Sequence, residues 1–397
     1  MQINYVSIKN AITPNDSATT SAFFQEIETA SGFSLQEVSL KQWLDNDFAL
    51  IYIATGGTEN LFLENYELLT SKTCYLLTSG QANSLAAAME ILTYLKANHH
   101  KGEILHGSAN EIGKRIVNLK KAYDAYVDLQ YYRVGMLGKP SDWLIASVYD
   151  EKALAAKLHL EVVNISIEEV IAEIKKDAYI PNQYTKELQA KSYNPEELTK
   201  ALNVYGAFKR IVDKYHLDGI TVRCFDLLDT VYTTGCLGLA ILNATGIDAG
   251  CEGDLPALLS MAILRRIAKQ PAFMCNPSKI DLKNNEMILA HCTMPLNMCY
   301  QYDLTTHYES GIGVAVAGSI MIGNFTIFKT DGSLERYYVD SGKILENLRL
   351  KNLCRSQIKV RLSDYQYFLT DPIANHHVIC LGNQTLALTE FFKLIAE

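Results

Sequence analysis

The chain has 397 residues, too many for one ordinary hydrophobic core, so two or three domains are expected. Hydrophobic residues make up 48% and charged residues 20%, the balance of an ordinary globular protein in water. The net charge is −8, with Lys and Arg scattered, so no basic excess exists to neutralise phosphates and a nucleic-acid partner is disfavoured.

Residues 3–9 read as a first strand, not as a basic segment followed by an apolar one, so no secretory signal is expected. No apolar run reaches the ~18 to 20 residues needed to span a bilayer, so no membrane partner is expected. Nine cysteines without a CxxC pair predict reduced thiols and a cytoplasmic address.

Strands at 3–9, 48–55, 73–77 and 103–106 alternate with helices at 21–31, 60–69, 83–97 and 111–128. That alternation predicts a doubly wound parallel sheet, and a first α/β domain is placed at 1–129. The loops Thr55-Gly56-Gly57-Thr58-Glu59 and Thr78-Ser79-Gly80-Gln81-Ala82-Asn83-Ser84 follow two of these strands. They lack nucleotide-loop spacing and read either as plain turns or as loops approaching a sugar.

A second α/β domain is placed at 130–268. Its first strand, 134–137, leads through Gly138-Lys139-Pro140-Ser141 to Asp142 and Trp143. A carboxylate beside an aromatic face suits a sugar, though Trp143 reads equally as core. A strand at 158–163, a helix at 168–174, a polar loop or lid at 177–193 and a helix at 196–215 follow. The strand at 219–224 brings Arg223 to the face of Asp142. After a buried helix at 237–243, residues 247–251 lead to Glu252. Asp254 and Pro256 have the character of an N-cap and a first helical turn, which leaves Glu252 free to point into a cleft.

From residue 269 to 397 a β-rich domain is expected, with strands at 272–274, 287–290, 314–321, 325–328, 336–339, 358–362 and 377–381 and a last helix at 385–396. Asn276 and His291 stand at two strand ends. An acidic helix start with a carboxamide and a histidine at strand ends is a common assembly for a divalent metal. Further polar clusters are His307 with Glu309, Arg355 with Gln357, and Asn375-His376-His377. This oxygen-rich set suits Mn²⁺, Mg²⁺ or another divalent ion better than structural zinc. Cys251, Cys275 and Cys292 each neighbour a candidate ligand and read as small buried hydrophobes.

The segments Gly135-Met136-Leu137-Gly138-Lys139-Pro140-Ser141-Asp142-Trp143, Gly250-Cys251-Glu252-Gly253-Asp254, Ala290-His291-Cys292-Thr293-Met294-Pro295 and Ala374-Asn375-His376-His377 carry a resemblance in order and spacing. From about residue 132 onward the chain resembles the L-fucose isomerase / L-arabinose isomerase family, in its shorter fucose-isomerase-like branch. The resemblance implies two Rossmann-like doubly wound domains followed by a β-rich C-terminal domain. It implies a Mn²⁺-dependent aldose–ketose isomerase and a homo-oligomer with sites near subunit contacts. It further implies Glu252 and His376 as metal ligands, with His291 matching a ligand of the arabinose branch. The family's Asp ligand falls on Asn276, which is a departure.

Aldose–ketose exchange moves a proton between C1 and C2 through an enediolate and uses two proton carriers. Asn276 ligates through its carbonyl oxygen but carries no proton at neutral pH. Glu252 is therefore expected to work with Glu309, assisted by His307. Asp142, Trp143, Arg223, Arg355 and His377 are the expected sugar contacts. Arg223 or Arg355 either reads an anionic sugar, sulfonated or phosphorylated, or serves as a structural ion pair. A non-catalytic sugar-binding or regulatory protein on the same fold is the alternative.

Overall fold

Apolar four- to seven-residue runs separated by helix formers build two distinct parallel sheets. The computed structural model describes residues 2–10 and 17–396, and the chain divides into two compact units, 1–123 and 124–397.

In the first unit the strands are β1 (Gln2–Ile8), β2 (Ser34–Glu37), β3 (Ala49–Ile53), β4 (Cys74–Leu77) and β5 (Gly102–Leu105). All pair in parallel, in the order β2-β1-β3-β4-β5. Side chains alternate across the sheet: Leu50 and Tyr52 pack with Ile27, Ile112 and Ile116 on one face. Ile51 and Ile53 pack with Trp43, Phe62 and Ile91 on the other. Each such aliphatic side chain contributes roughly 1.5–3 kcal/mol by leaving water. The polar, mostly exposed β2 is an edge strand that the hydrophobic pattern does not announce.

The second unit opens with another parallel sheet: β6 (Arg133–Leu137), β7 (Glu161–Ile165), β8 (Gly219–Val222) and β9 (Asp248–Cys251). Its order is β7-β6-β8-β9. The chain leaves β6 in one direction for β7 and returns past it to β8. Where the order reverses, loops diverge from the strands' carboxyl ends and leave a crevice. Asp248, 1% exposed at the start of β9, accepts bonds from Arg265 at 2.6 and 3.0 Å, Arg266 at 2.9 Å and Tyr132 at 2.9 Å. This cluster locks β9 to the helix Leu255–Ala268. The polar stretch expected as a loop or lid contains a short helix, Gln183–Gln189, closed by a reciprocal cap between Asn182 and Thr185. Its seven polar-rich residues are too few to show helical periodicity.

The remaining strands are β10 (Phe273–Asp281), β11 (Glu286–His291), β12 (Gln301–Thr305), β13 (Ala315–Ser319), β14 (Gly323–Thr330), β15 (Tyr337–Leu348), β16 (Ser356–Arg361) and β17 (His377–Leu381). Six close into a barrel in the order β10-β11-β16-β15-β14-β17, and β12 pairs with β13 separately. Alternate residues fill the barrel core, among them Phe273, Cys275, Leu289, Phe325, Ile327, Ile358 and Ile379. The α/β class with a β-rich C-terminal part is as expected from the sequence; closure of that part into a barrel is an additional finding. No helix among the described residues is long and apolar enough to cross a membrane.

Candidate functional site

The site lies within the second unit and begins where β9 ends. Glu252 has φ +64° and Gly253 φ +72°. A left-handed non-glycine residue costs about 1 kcal/mol or more and persists only where its surroundings hold it. Here a Cβ on Gly253 would lie 2.6 Å from the Lys139 carbonyl oxygen, so the loop leaving β6 packs directly on this turn. The Ser141 N–H donates to the Glu252 carbonyl at 2.9 Å. Two strand-end loops are thereby pinned together and the Glu252 side chain is aimed at the barrel rim.

The rim supplies two histidines. His291 is the last residue of β11, and His376 immediately precedes β17. They are 4% and 0% exposed. Glu252 Oε1 lies 3.9 Å from His291 Nε2 and 3.5 Å from His376 Nε2. One donor atom from each of the three residues falls within 4.8 Å of the others. Donors about 2.1 Å from a common ion sit about 3 to 3.5 Å apart, so the three side chains would have to draw slightly closer to share one divalent ion.

The donor chemistry fits such an ion. His376 Nδ1 is 2.8 Å from Asp254 Oδ2, so it donates its N–H there. Its Nε2 is buried and has no hydrogen-bond partner, and 3.5 Å to Glu252 is too long for an effective bond. His291 Nδ1 engages the Thr293 hydroxyl at 3.0 Å, which leaves its Nε2 facing inward. An imidazole held by a carboxylate at one nitrogen and open at the other is the usual form of a metal-ligating histidine. Asp254 caps its helix as expected, accepting the Ala257 N–H at 2.8 Å, and its link to His376 is a second role. No local sequence signal could have paired residues 122 positions apart.

Electrostatics favour a cation. Burial alone would raise the Glu252 carboxyl, but the His376 contact, the charges of His376 and His291 and the Trp143 bond outweigh it and bring it down to about 2. Burial lowers His376, but its bond to Asp254 and the nearby Asp254 and Glu252 charges win and raise it to about 9. Burial and the neighbouring His376 charge push His291 down to about 4. Without an ion, protonated His376 and Lys329 together offset the Glu252 and Asp254 carboxylates; an ion taking Nε2 releases the His376 proton.

Asn276 on β10 is partly buried. It pairs with Ala290, and its neighbour Cys275 pairs with His377, so it sits one ladder step from His291 and at the same rim. Trp143 is 50% exposed, which removes the core reading, and its Nε1–H donates to Glu252 Oε2 at 2.6 Å. Its ring meets Phe225 edge-on at 4.8 Å, and Phe225 meets His307 at 5.8 Å. Phe225 completes an aromatic wall that sequence reasoning missed. His307 is buried, with Nδ1 3.0 Å from the Ser310 hydroxyl, whereas Glu309 on the same loop is exposed.

The two arginines differ in their partners. Arg223 binds Asp142 at 2.7 and 3.2 Å, Asp226 at 2.9 Å and the Pro140 carbonyl at 2.8 Å. Asp142 is thereby engaged too. Arg355 donates to the Thr306 carbonyl at 2.8 Å and lies 5.6 Å from the Tyr308 ring centroid. Among the described residues no carboxylate lies within ion-pair distance of it. It follows Cys354 and precedes Ser356, the register partner of His291, so it borders the same rim. His377 is 1% exposed, with Nε2 3.0 Å from the Tyr367 hydroxyl and Nδ1 3.1 Å from the Asn375 carbonyl; both nitrogens are occupied. Cys251, Cys275 and Cys292 are free, buried thiols.

Comparison with known proteins gives a sulfoquinovose isomerase from Alkalicoccus urumqiensis, 22% identical over 275 residues, 65% of this chain and 61% of that protein. A sulfoquinovose isomerase from Priestia aryabhattai is 22% identical over 271 residues, 64% of this chain and 60% of that protein. One from Clostridium sp. (strain MSTE9) is 30% identical over a shorter stretch of 92 residues, 23% of this chain and 21% of that protein. This chain thus spans about 60% of the length of the first relatives it matches. No protein-family model matches it.

Proposed function

We propose that this chain is a divalent-metal-dependent aldose–ketose isomerase acting on an anionic monosaccharide, with a sulfonated hexose as the leading substrate class. The observation that carries this reading is the Glu252–His291–His376 cluster, with His376 Nε2 buried, unpartnered and aimed at the other two donors. The names of the relatives support a sulfonated sugar. Arg355, cationic and without a carboxylate partner among the described residues, is the residue that would read its anionic group.

Glu252, His291 and His376 would hold Mn²⁺ or another divalent ion, with Asn276 offering a neutral carbonyl oxygen at the same rim. When bound, the ion supplies Lewis acidity toward the sugar's carbonyl and adjacent hydroxyl oxygens. Glu252 turns Oε1 to the histidines and Oε2 to Trp143, so Oε2 is the atom placed to accept a proton at the cleft. Trp143 orients that oxygen and offers its exposed ring to the sugar. His307, fixed through Nδ1 by Ser310, and Glu309 on the same loop are the proposed carriers of the second proton. The loop after β6 also exposes Ile145 and Val148, at 88% and 72%, beside Trp143, which fits a homo-oligomer with sites near subunit contacts.

The second reading, a non-catalytic sugar-binding or regulatory protein, is favoured by Asn276 standing where the resemblance expects an acid. Assaying ketose formation from sulfonated, phosphorylated and neutral aldoses with added Mn²⁺ separates the two. Turnover of the anionic class supports the isomerase, and binding without turnover supports the alternative.

A further inference from the structure

We infer that Lys329 and Asp254 form a buried charge pair that positions His376, fixing which ring nitrogen faces the metal cluster. This deepens the proposed function and rests on His376 being a metal ligand. Lys329 is 0% exposed on β14, its Nζ has no hydrogen-bond partner, and Asp254 Oδ1 lies 3.8 Å away. Asp254 is also 0% exposed. Its oxygens accept the Ala257 N–H at 2.8 Å, the Ser147 hydroxyl at 3.2 Å and the His376 Nδ1–H at 2.8 Å. The strand is held in place too, because the Thr330 N–H donates to Ser260 Oγ, on the helix that Asp254 caps, at 3.0 Å.

Neither charge is needed for its structural duty alone. A neutral Ser or Asn caps a helix about as well as Asp. An apolar side chain of similar length fills a dry site with less desolvation cost than an ammonium. Together they do something a cap alone does not. Asp254 Oδ2, 2.8 Å from His376 Nδ1, turns that nitrogen away from the cluster, and Lys329 Nζ, 3.8 Å from Oδ1, holds the Asp254 carboxyl group in the pose that makes this contact. Nε2 is then the nitrogen left for Glu252, His291 and the ion. The uncharged carboxamide of an Asn at 254 could also donate, which permits the opposite tautomer.

The test uses the full chain and the double variant Lys329→Met/Asp254→Asn, which removes both charges while keeping the cap and the volume. Mn²⁺ binding by calorimetry is the readout, with His376→Ala as reference. The expected result is a double variant that melts cooperatively near the wild-type temperature and binds Mn²⁺ about 10- to 100-fold more weakly. Wild-type affinity in the double variant would overturn the inference while leaving the metal reading standing. Wild type and His376→Ala binding alike would overturn both. If the double variant does not fold, Lys329→Met alone, which leaves buried Asp254 without its counter-charge, is expected to weaken Mn²⁺ binding, and wild-type affinity in it would overturn the inference. Nitrogen-15 NMR of the histidines in wild type then checks the tautomer: His376 protonated on Nε2 alone in the Mg²⁺-loaded chain would contradict it.

Discussion

At the scale of single residues, Glu252 is the most constrained group in the site. A left-handed backbone, the packed turn at Gly253 and the Trp143 bond hold it in one pose. Trp143→Phe keeps an aromatic face but removes the indole N–H. A hydrogen bond to a charged group is worth ~1.5–3 kcal/mol, so kcat is expected to fall by about 10-fold or more with KM nearly unchanged. An unchanged kcat would show that Trp143 acts only as a sugar platform. Arg355→Gln is expected to raise KM for a sulfonated aldose by about 10- to 100-fold while leaving a neutral analogue unaffected. Equal losses on both substrates would remove Arg355 as the anion reader. Glu252, His291 and His376 were legible because metal-competent residues stood at element ends. Lys329 was not, since a lysine just past the expected strand at 325–328 carries no sign of complete burial. Arg223 and Arg355 looked equivalent as residues, and only their three-dimensional partners separate them.

At the scale of elements, the site depends on β9 and the helix behind it. Asp248 anchors that strand, and its two arginine partners leave it lower than an ordinary carboxyl although burial alone would raise it. A folded pKa below the unfolded one gives stability that is full above about 3.9 and lost as pH falls through the folded value. Asp248→Asn is therefore expected to cost about 3–5 kcal/mol at neutral pH, since it leaves two arginines without their buried counter-charge. It should also weaken the acid-side decline in stability, measurable as urea midpoints from about pH 5 down to about pH 2. A wild-type midpoint at neutral pH would contradict this. Most strands and long helices were legible from apolar runs and caps. The edge strand β2 and the helix Gln183–Gln189 were not, because both are short and polar and are fixed by pairing or capping rather than by a buried face.

At the scale of the molecule, the second unit joins a crevice at a parallel sheet's switch point to the rim of an antiparallel barrel, and each contributes part of one donor set. That convergence explains why the residues are scattered from 252 to 376. Alternating strands and helices announced the parallel sheets, while barrel closure depends on β10 meeting β17 about a hundred residues later, a pairing that periodicity does not encode. Mn²⁺ at 100 times its dissociation constant should stabilise the chain by about 2.7 kcal/mol, seen as a higher melting temperature that a chelator reverses. His376→Ala should abolish the shift, and a shift of equal size in that variant would place the ion elsewhere. The most direct test of the central claim is deuterium incorporation by the full chain with Mn²⁺ and sulfoquinovose in D₂O, followed by mass spectrometry. The expected result is a ketose bearing deuterium on carbon, absent with Glu252→Gln or chelator. Bound Mn²⁺ and bound sugar with neither ketose nor deuterium would contradict the isomerase reading.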